Sequence, residues 1–182
     1  MSAKHFHAVT VAGRDRPGII AETTNRLAGL GLDLADSTMT LLRGHFAMML
    51  VCTGPAEGAD IETALASLTI DRSLVVTVAG IPAEPAPPSG GTPWVLTVHG
   101  GDRTGTVSAV VAEVAAVDGN IIDLTTRVAG DLHLLVADID LPVGVDVPAL
   151  EASVDRVAAD LGVRATLRPA DVDEADTRRT PL

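Results

Sequence analysis

The sequence predicts an α+β chain of two similar units, each a four-stranded antiparallel sheet with both helices on one face. Three observations carry that prediction. The chain repeats itself, its hydrophobic periods alternate between two and 3.6 residues in a fixed order, and its apolar residues are almost purely aliphatic. Hydrophobic residues make up 47 % of the 182 residues, yet aromatics are 2 %: Phe6, Phe46 and Trp94, with no Tyr. Such a core has to be packed from regular faces rich in Val, Leu, Ile and Ala.

The repeat has an offset of 87 positions. Thr10, Val11 and Gly13 fall on Thr97, Val98 and Gly100. Asp15, Arg16 and Gly18 fall on Asp102, Arg103 and Gly105, and Ala28, Asp36 and Thr38 fall on Ala115, Asp123 and Thr125. Chance does not place Gly-x-Asp-Arg-x-Gly twice at one distance from a strand and a helix.

In the first copy, Phe6 to Ala12 is a strand ending at Gly13, and a helix follows from about Pro17 with Ile20, Thr24, Leu27 and Ala28 at helical spacing. Leu32 to Leu42 and His45 to Thr53 read as strands joined by a turn at Arg43-Gly44. Asp60 to Leu68 reads as a short helix and Leu74 to Ala79 as the last strand. The second copy repeats the order with Trp94 to His99, Val107 to Val117, Asn120 to Val128, Leu132 to Asp140, Val147 to Leu161 and Val163 to Leu167. Its last helix carries the clearest signals: Leu150, Val154, Val157 and Leu161 on one face, Pro148 near the start, Gly162 at the stop. The order βαββαβ is that of the ferredoxin-like unit. The boundaries expected are residues 1–80 for the first domain, a Pro-rich linker at 81–93, the second domain at 94–168, and a mobile acidic tail at 169–182.

Charge excludes several functions. Thirteen Lys and Arg stand against 24 Asp and Glu, a net charge of −11. Binding to nucleic acid draws on cationic surface and counterion release, so direct DNA or RNA contact is not expected. An anionic membrane surface is disfavoured for the same reason. No apolar run reaches the roughly 18 residues of a membrane helix, and Met1 to His7 lacks a signal-peptide pattern, so a cytoplasmic protein is expected. The single cysteine, Cys52, excludes an internal disulfide and a cysteine-rich zinc site.

The two glycine-rich turns carry the chemistry. Gly13 to Gly18 and Gly100 to Gly105 each lie between a strand and a helix. A nucleotide loop of that spacing then needs Lys and Ser/Thr, whereas Ile19-Ile20 and Thr106-Val107 follow here. What survives is a helix N-terminus, whose free amides and partial positive charge accept a carboxylate. Pro17 presets the first turn, Gly18 lets a small ligand approach the backbone, and Asp15 is a candidate cap. At the helix ends, Gly31-Leu32-Asp33 and Gly119-Asn120-Ile121 lead into the next strand, with glycine suited to a left-handed stop. Asp33 and Asn120 align and suit an ammonium group. His5 and His7 alternate on a strand, but a third and fourth metal ligand are not evident. Cys52 reads as a packing thiol, and no nucleophile–base–acid set appears, so no enzyme active site, metal or cofactor is expected.

Asp15-Arg16-Pro17-Gly18-Ile19, a helix, then Gly31-x-Asp33-Leu34 resembles the signature of the ACT domain, an amino-acid-sensing regulatory module. The run Gly31 to Ser37 with Phe46-Ala47-Met48-Met49-Leu50 resembles the glycine cleavage system transcriptional repressor family, itself tandem ACT. The resemblance implies that neighbouring sheets join side by side and hold a small amino acid between the first loop and the start of the second strand. By position it implies Asp15, Pro17, Gly18, Ile19, Gly31, Leu32 and Asp33 as ligand-binding, with Asp102, Gly105, Thr106, Gly119, Asn120 and Ile121 in the second copy. Two departures, Asp33 where the family usually has Asn and Thr104 in place of Pro, predict unequal sites. The resemblance further implies a transcription factor as protein partner, with a metabolic enzyme as the alternative; separately, the exposed edge strands of small sheets favour a homodimer. For a ligand as small as glycine, a ceiling of about −1.5 kcal/mol per heavy atom limits affinity to a few micromolar at best, which suits a sensor.

Overall fold

The computed structural model describes residues 4–83, 90–101, 103–130 and 132–170. They form two compact units, each built on its own sheet. In the first, the order is β1 (His5–Arg14), α1 (Ile19–Gly29), β2 (Asp33–Leu42), β3 (His45–Gly54), α2 (Gly58–Leu65), a 3-10 turn (Ala66–Thr69) and β4 (Leu74–Ile81). The second has β5 (Thr92–Gly101), α3 (Thr106–Ala115), β6 (Asn120–Ala129), β7 (Leu132–Leu141), α4 (Val147–Leu161) and β8 (Val163–Pro169). The sheets are antiparallel, with strand orders β2-β3-β1-β4 and β6-β7-β5-β8. The repeat extends to a register shift: both second strands slip at one point, between Leu34 and Asp36 and between Ile121 and Asp123, again 87 residues apart.

Strand alternation sends one set of side chains to the helices. Val9, Val11, Leu50 and Cys52 meet Leu27, Ile61 and Leu65 in one core. Leu96, Val98, Leu135 and Ile139 meet Val110, Val114, Leu150 and Val154 in the other. The first helix buries Ile19, Thr23 and Leu27 rather than the expected face through Ile20 and Thr24; Ile20 is 45 % exposed. The helix starts at Ile19, behind an N-cap at Gly18, not at Pro17. In the second unit the same face holds Thr106, Val110 and Val114. The expected helix Asp60 to Leu68 begins earlier and tightens into the 3-10 turn after Leu65, with Leu68 still buried.

The helix of the second unit predicted over Val147 to Leu161 has those bounds. Asp146 accepts a hydrogen bond from the Ala149 amide at 3.1 Å, and Gly162 closes the helix at φ 67°. Strand backbone runs into both ends of the Pro-rich stretch, to Ile81 on one side and from Thr92 on the other. The middle of the expected linker, 84–89, and most of the expected tail, 171–182, lie outside the described residues. Among the described residues, no helix is long and apolar enough to cross a membrane.

Candidate functional site

Gly13 ends the free run of β1 because nothing larger fits. A Cβ there would lie 2.0 Å from the Ser73 carbonyl oxygen, and the φ of 152° is one that L side chains rarely adopt. The chain then leaves the sheet held at two points: the Arg14 amide donates to Ser73 O at 2.9 Å, and the Asp15 amide to Gly44 O at 3.0 Å. In the second unit Gly100 is crowded in the same way by Val163. These glycines serve the approach of the last strand.

Gly18 and Gly105 serve the helix start. Both take the left-handed conformation at the N-cap, with φ of 88° and 92°. Each carbonyl accepts the amide four residues on, Glu22 and Ala109, both at 2.9 Å. Among the described residues no side chain caps either helix. Asp15 therefore does not cap α1; it lies three residues before the N-cap, exposed, with its backbone turned to Gly44. The first-turn amides of α1 are left to solvent or a small anion, whereas in α3 the Thr106 amide already donates to Arg103 O at 3.3 Å. The space where a Gly18 side chain would stand is open.

The far end of α1 stops at Gly31, left-handed at φ 71°, and the Leu32 amide reaches Leu27 O at 3.2 Å. The second unit differs from expectation here. Asp118, not Gly119, takes the left-handed position at φ 56°. Gly119 matches Leu32 in the repeat, and its amide donates to Val114 O at 3.0 Å. It is glycine because a Cβ would sit 2.7 Å from the Val114 side chain and 3.0 Å from that of Leu141.

The expected residues thus divide into two groups in each unit. Asp15, Pro17 and Gly18 are exposed at the start of α1, while Gly31 and Asp33 are exposed at its end. Eleven helical residues at 1.5 Å rise separate the groups by about 16 Å, so one unit does not bring them together. Ile19, Leu32 and Thr106 are buried, so only their backbones are available to a ligand. Asn120 is exposed at the start of β6, Ile121 packs against the second core, and Asp102 lies outside the described residues. A groove of about 730 Å³ runs beside α1, lined by Ala21, Glu22, Thr24, Asn25, Leu27, Ala28, Leu32 and Leu34. Of the expected residues it takes in Leu32 alone.

Sequence reasoning missed a charge network at this loop. Arg16 Nη2 donates to Glu22 Oε2 at 3.0 Å, Arg26 Nη2 donates to Glu22 Oε1 at 3.1 Å, and Arg26 Nη1 reaches Ala64 O at 3.1 Å. The hydrogen bonds from Arg16 and then Arg26 hold the Glu22 carboxyl below the usual carboxylate range. Asp71 is also lowered, by the Ser73 amide and hydroxyl, with a smaller pull from Arg16. The Glu22–Arg26 pair at i and i+4 was the available signal. Elsewhere, His5 Nε2 stands 3.3 Å from Glu57 Oε1, and His7 Nε2 donates to Ala56 O at 3.0 Å. Among the described residues no three His, Cys, Asp or Glu side chains are grouped to hold a metal ion. Burial pushes the Cys52 thiol up, which disfavours the thiolate needed of a nucleophile.

A family model described as "ACT domain" matches residues 5–79, which span β1 to β4 of the first unit. A UPF0237 protein of Corynebacterium diphtheriae is 30 % identical over 76 residues, covering 40 % of this chain and 85 % of that one. The chain belongs to the ACT domain family. Its second sheet has the same strand order, which makes the fold a tandem ACT-like α+β fold. The glycine cleavage system transcriptional repressor of Escherichia coli K12 is 23 % identical over 184 residues, covering 97 % of this chain and 96 % of the repressor. Among solved structures, an unknown protein from Galdieria sulphuraria has a TM-score of 0.79 at 27 % identity, covering 93 % of this ACT protein and 100 % of the other.

Proposed function

We propose that this ACT protein is a non-catalytic regulator that binds a small amino acid, with glycine the first candidate, and passes its occupancy to a protein partner. The observation that carries the proposal is the twice-built, uncapped helix start at Gly18 and Gly105. There the first-turn amides carry a partial positive charge, the environment a carboxylate seeks, and at Gly18 the space beside the N-cap is open. The ammonium end needs a second group, and the first residues of β2 and β6 offer Asp33 and Asn120. Because each pair lies about 16 Å apart along one helix, the complete pocket requires a second sheet edge beside the first. The β2 edge suits such pairing: Leu34, Met39, Leu41 and Leu42 are all exposed along it.

The full-length similarity to a transcriptional repressor of glycine cleavage favours an output in transcription through a protein partner over service as the regulatory subunit of an enzyme. A net charge of −11 is consistent with contact to a regulator rather than to an operator. A ligand-free dimerisation module is the remaining reading, and one measurement separates it. Thermal unfolding is followed against each of the twenty amino acids at millimolar concentration. A ligand at a hundred times its Kd stabilises the native state by about 2.7 kcal/mol, so at least one amino acid raises the midpoint by several degrees. If none moves the midpoint, the sensing function is wrong.

A further inference from the structure

We infer that Glu22 is the positioning residue of the loop Arg14–Gly18, bracing it to α1 and α2. The inference rests on the loop being the ligand site proposed above. Glu22 uses both carboxylate oxygens: Oε2 accepts from Arg16 on the loop at 3.0 Å, and Oε1 accepts from Arg26 one helical turn on at 3.1 Å. Arg26 is in turn anchored on the Ala64 carbonyl at the end of α2 at 3.1 Å. The loop is therefore tied through one carboxylate to both helices. Arg16 also pulls on Asp71, just before β4, so its guanidinium lies among negative groups from two elements. Charge-assisted bonds of this geometry restrict a loop more than neutral ones do.

The internal repeat provides the control. Arg103 occupies the place of Arg16, but Glu22 is replaced by Ala109 and Arg26 by Glu113. Glu113 instead accepts from the Ser153 hydroxyl, joining α3 to α4. Arg103 packs over Gly162, 3.5 Å from where its Cβ would stand. Among the described residues of the second loop, the Arg103 carbonyl accepts from the Thr106 hydroxyl at 2.9 Å and from the Thr106 amide at 3.3 Å. Two copies of one motif are thus held by different means.

The test is hydrogen exchange of the full chain, read over residues 14–19 and 101–106, with a glycine titration of the same samples. Glu22→Gln should speed exchange at the Arg14 and Asp15 amides about tenfold, leave 101–106 unchanged, and weaken glycine binding at the first loop by a similar factor. A pH series separates positioning from general damage. Wild-type binding should weaken as pH falls and Glu22 takes up a proton, and that fall should be shallower in Glu22→Gln. Unchanged exchange in Glu22→Gln overturns the brace, and lost protection with unchanged glycine binding overturns its role in positioning. Should the wild type bind none of the twenty amino acids, the sensing function falls, while the exchange data still decide whether Glu22 orders the loop.

Discussion

Gly13 and Gly18 lie five residues apart and are glycine for different reasons. At Gly18 only the left-handed φ of 88° excludes a side chain, since the space around it is open. Gly18→Ala should cost about 1–2 kcal/mol, the strain of an L residue in that region. At Gly13 the added Cβ meets a backbone oxygen at 2.0 Å, and β4 cannot withdraw without breaking the Arg14–Ser73 bond. Gly13→Ala should cost more than Gly18→Ala, adding an overpacking penalty of about 1–3 kcal/mol, as read by urea denaturation. The sequence shows both glycines at the same spacing in each repeat, without the contacts that make each one a glycine. Only the φ values and the position of Ser73 tell them apart. Acid tests another residue-level feature. Glu22 and Asp71 have folded-state values lowered from 4.5 and 3.8, so their contribution is present above those values and is lost as pH falls through the lowered ones. A Glu22→Gln, Asp71→Asn double variant should show a shallower fall of melting temperature below about pH 4.5 than the wild type.

At the scale of elements, strand and helix order was legible because burial follows period, and the helix ends were less so. α4 announces itself through Asp146, Pro148 and Gly162, three residues whose local chemistry fixes both ends. α1 has no such cap. Its start depends on a left-handed glycine, and its buried face runs through Thr23 where the sequence pattern pointed to Thr24, because Ile20 and Thr24 form an equally plausible stripe with Leu27. Gly31 and Gly119 were read as matching helix stops, yet Gly119 is fixed by contact with Val114 and Leu141, a tertiary fact with no local mark. The Glu22 brace was hidden likewise, since Arg16 precedes the helix and Ala64 lies on another one. The α2 element offers the cleanest packing test. Ile61 and Leu65 are both fully buried against the first sheet. Leu65→Ala should destabilise the first unit by about 2–5 kcal/mol through transfer and cavity terms. Residue-resolved hydrogen exchange should show that loss in β1, β3 and β4 before it appears in β5 and β7, because each sheet packs on its own helices.

For the molecule as a whole, the proposed function makes ligand binding and edge pairing one equilibrium. The candidate carboxylate and ammonium sites of a unit stand at opposite ends of one helix, so affinity depends on a second edge closing the gap. Whatever closes that gap must bind the ligand-loaded state more tightly, and by linkage the ligand must strengthen pairing by the same factor. Met39 and Leu41 stand on the β2 edge, 48 % and 51 % exposed. Lysines there oppose edge-to-edge pairing with little cost to the unit, because neither side chain is in the core. Met39→Lys with Leu41→Lys should leave the thermal midpoint of the ligand-free protein within about 2 °C, as exposed substitutions do. It should also weaken amino-acid binding at least tenfold and abolish any ligand-induced rise in sedimentation coefficient. Salt supplies the counter-check. Copies carrying a net charge of −11 repel one another, so raising ionic strength should favour association of the wild type through screening. An edge variant that keeps full amino-acid affinity would mean that each unit completes its pocket alone, against the separation along α1.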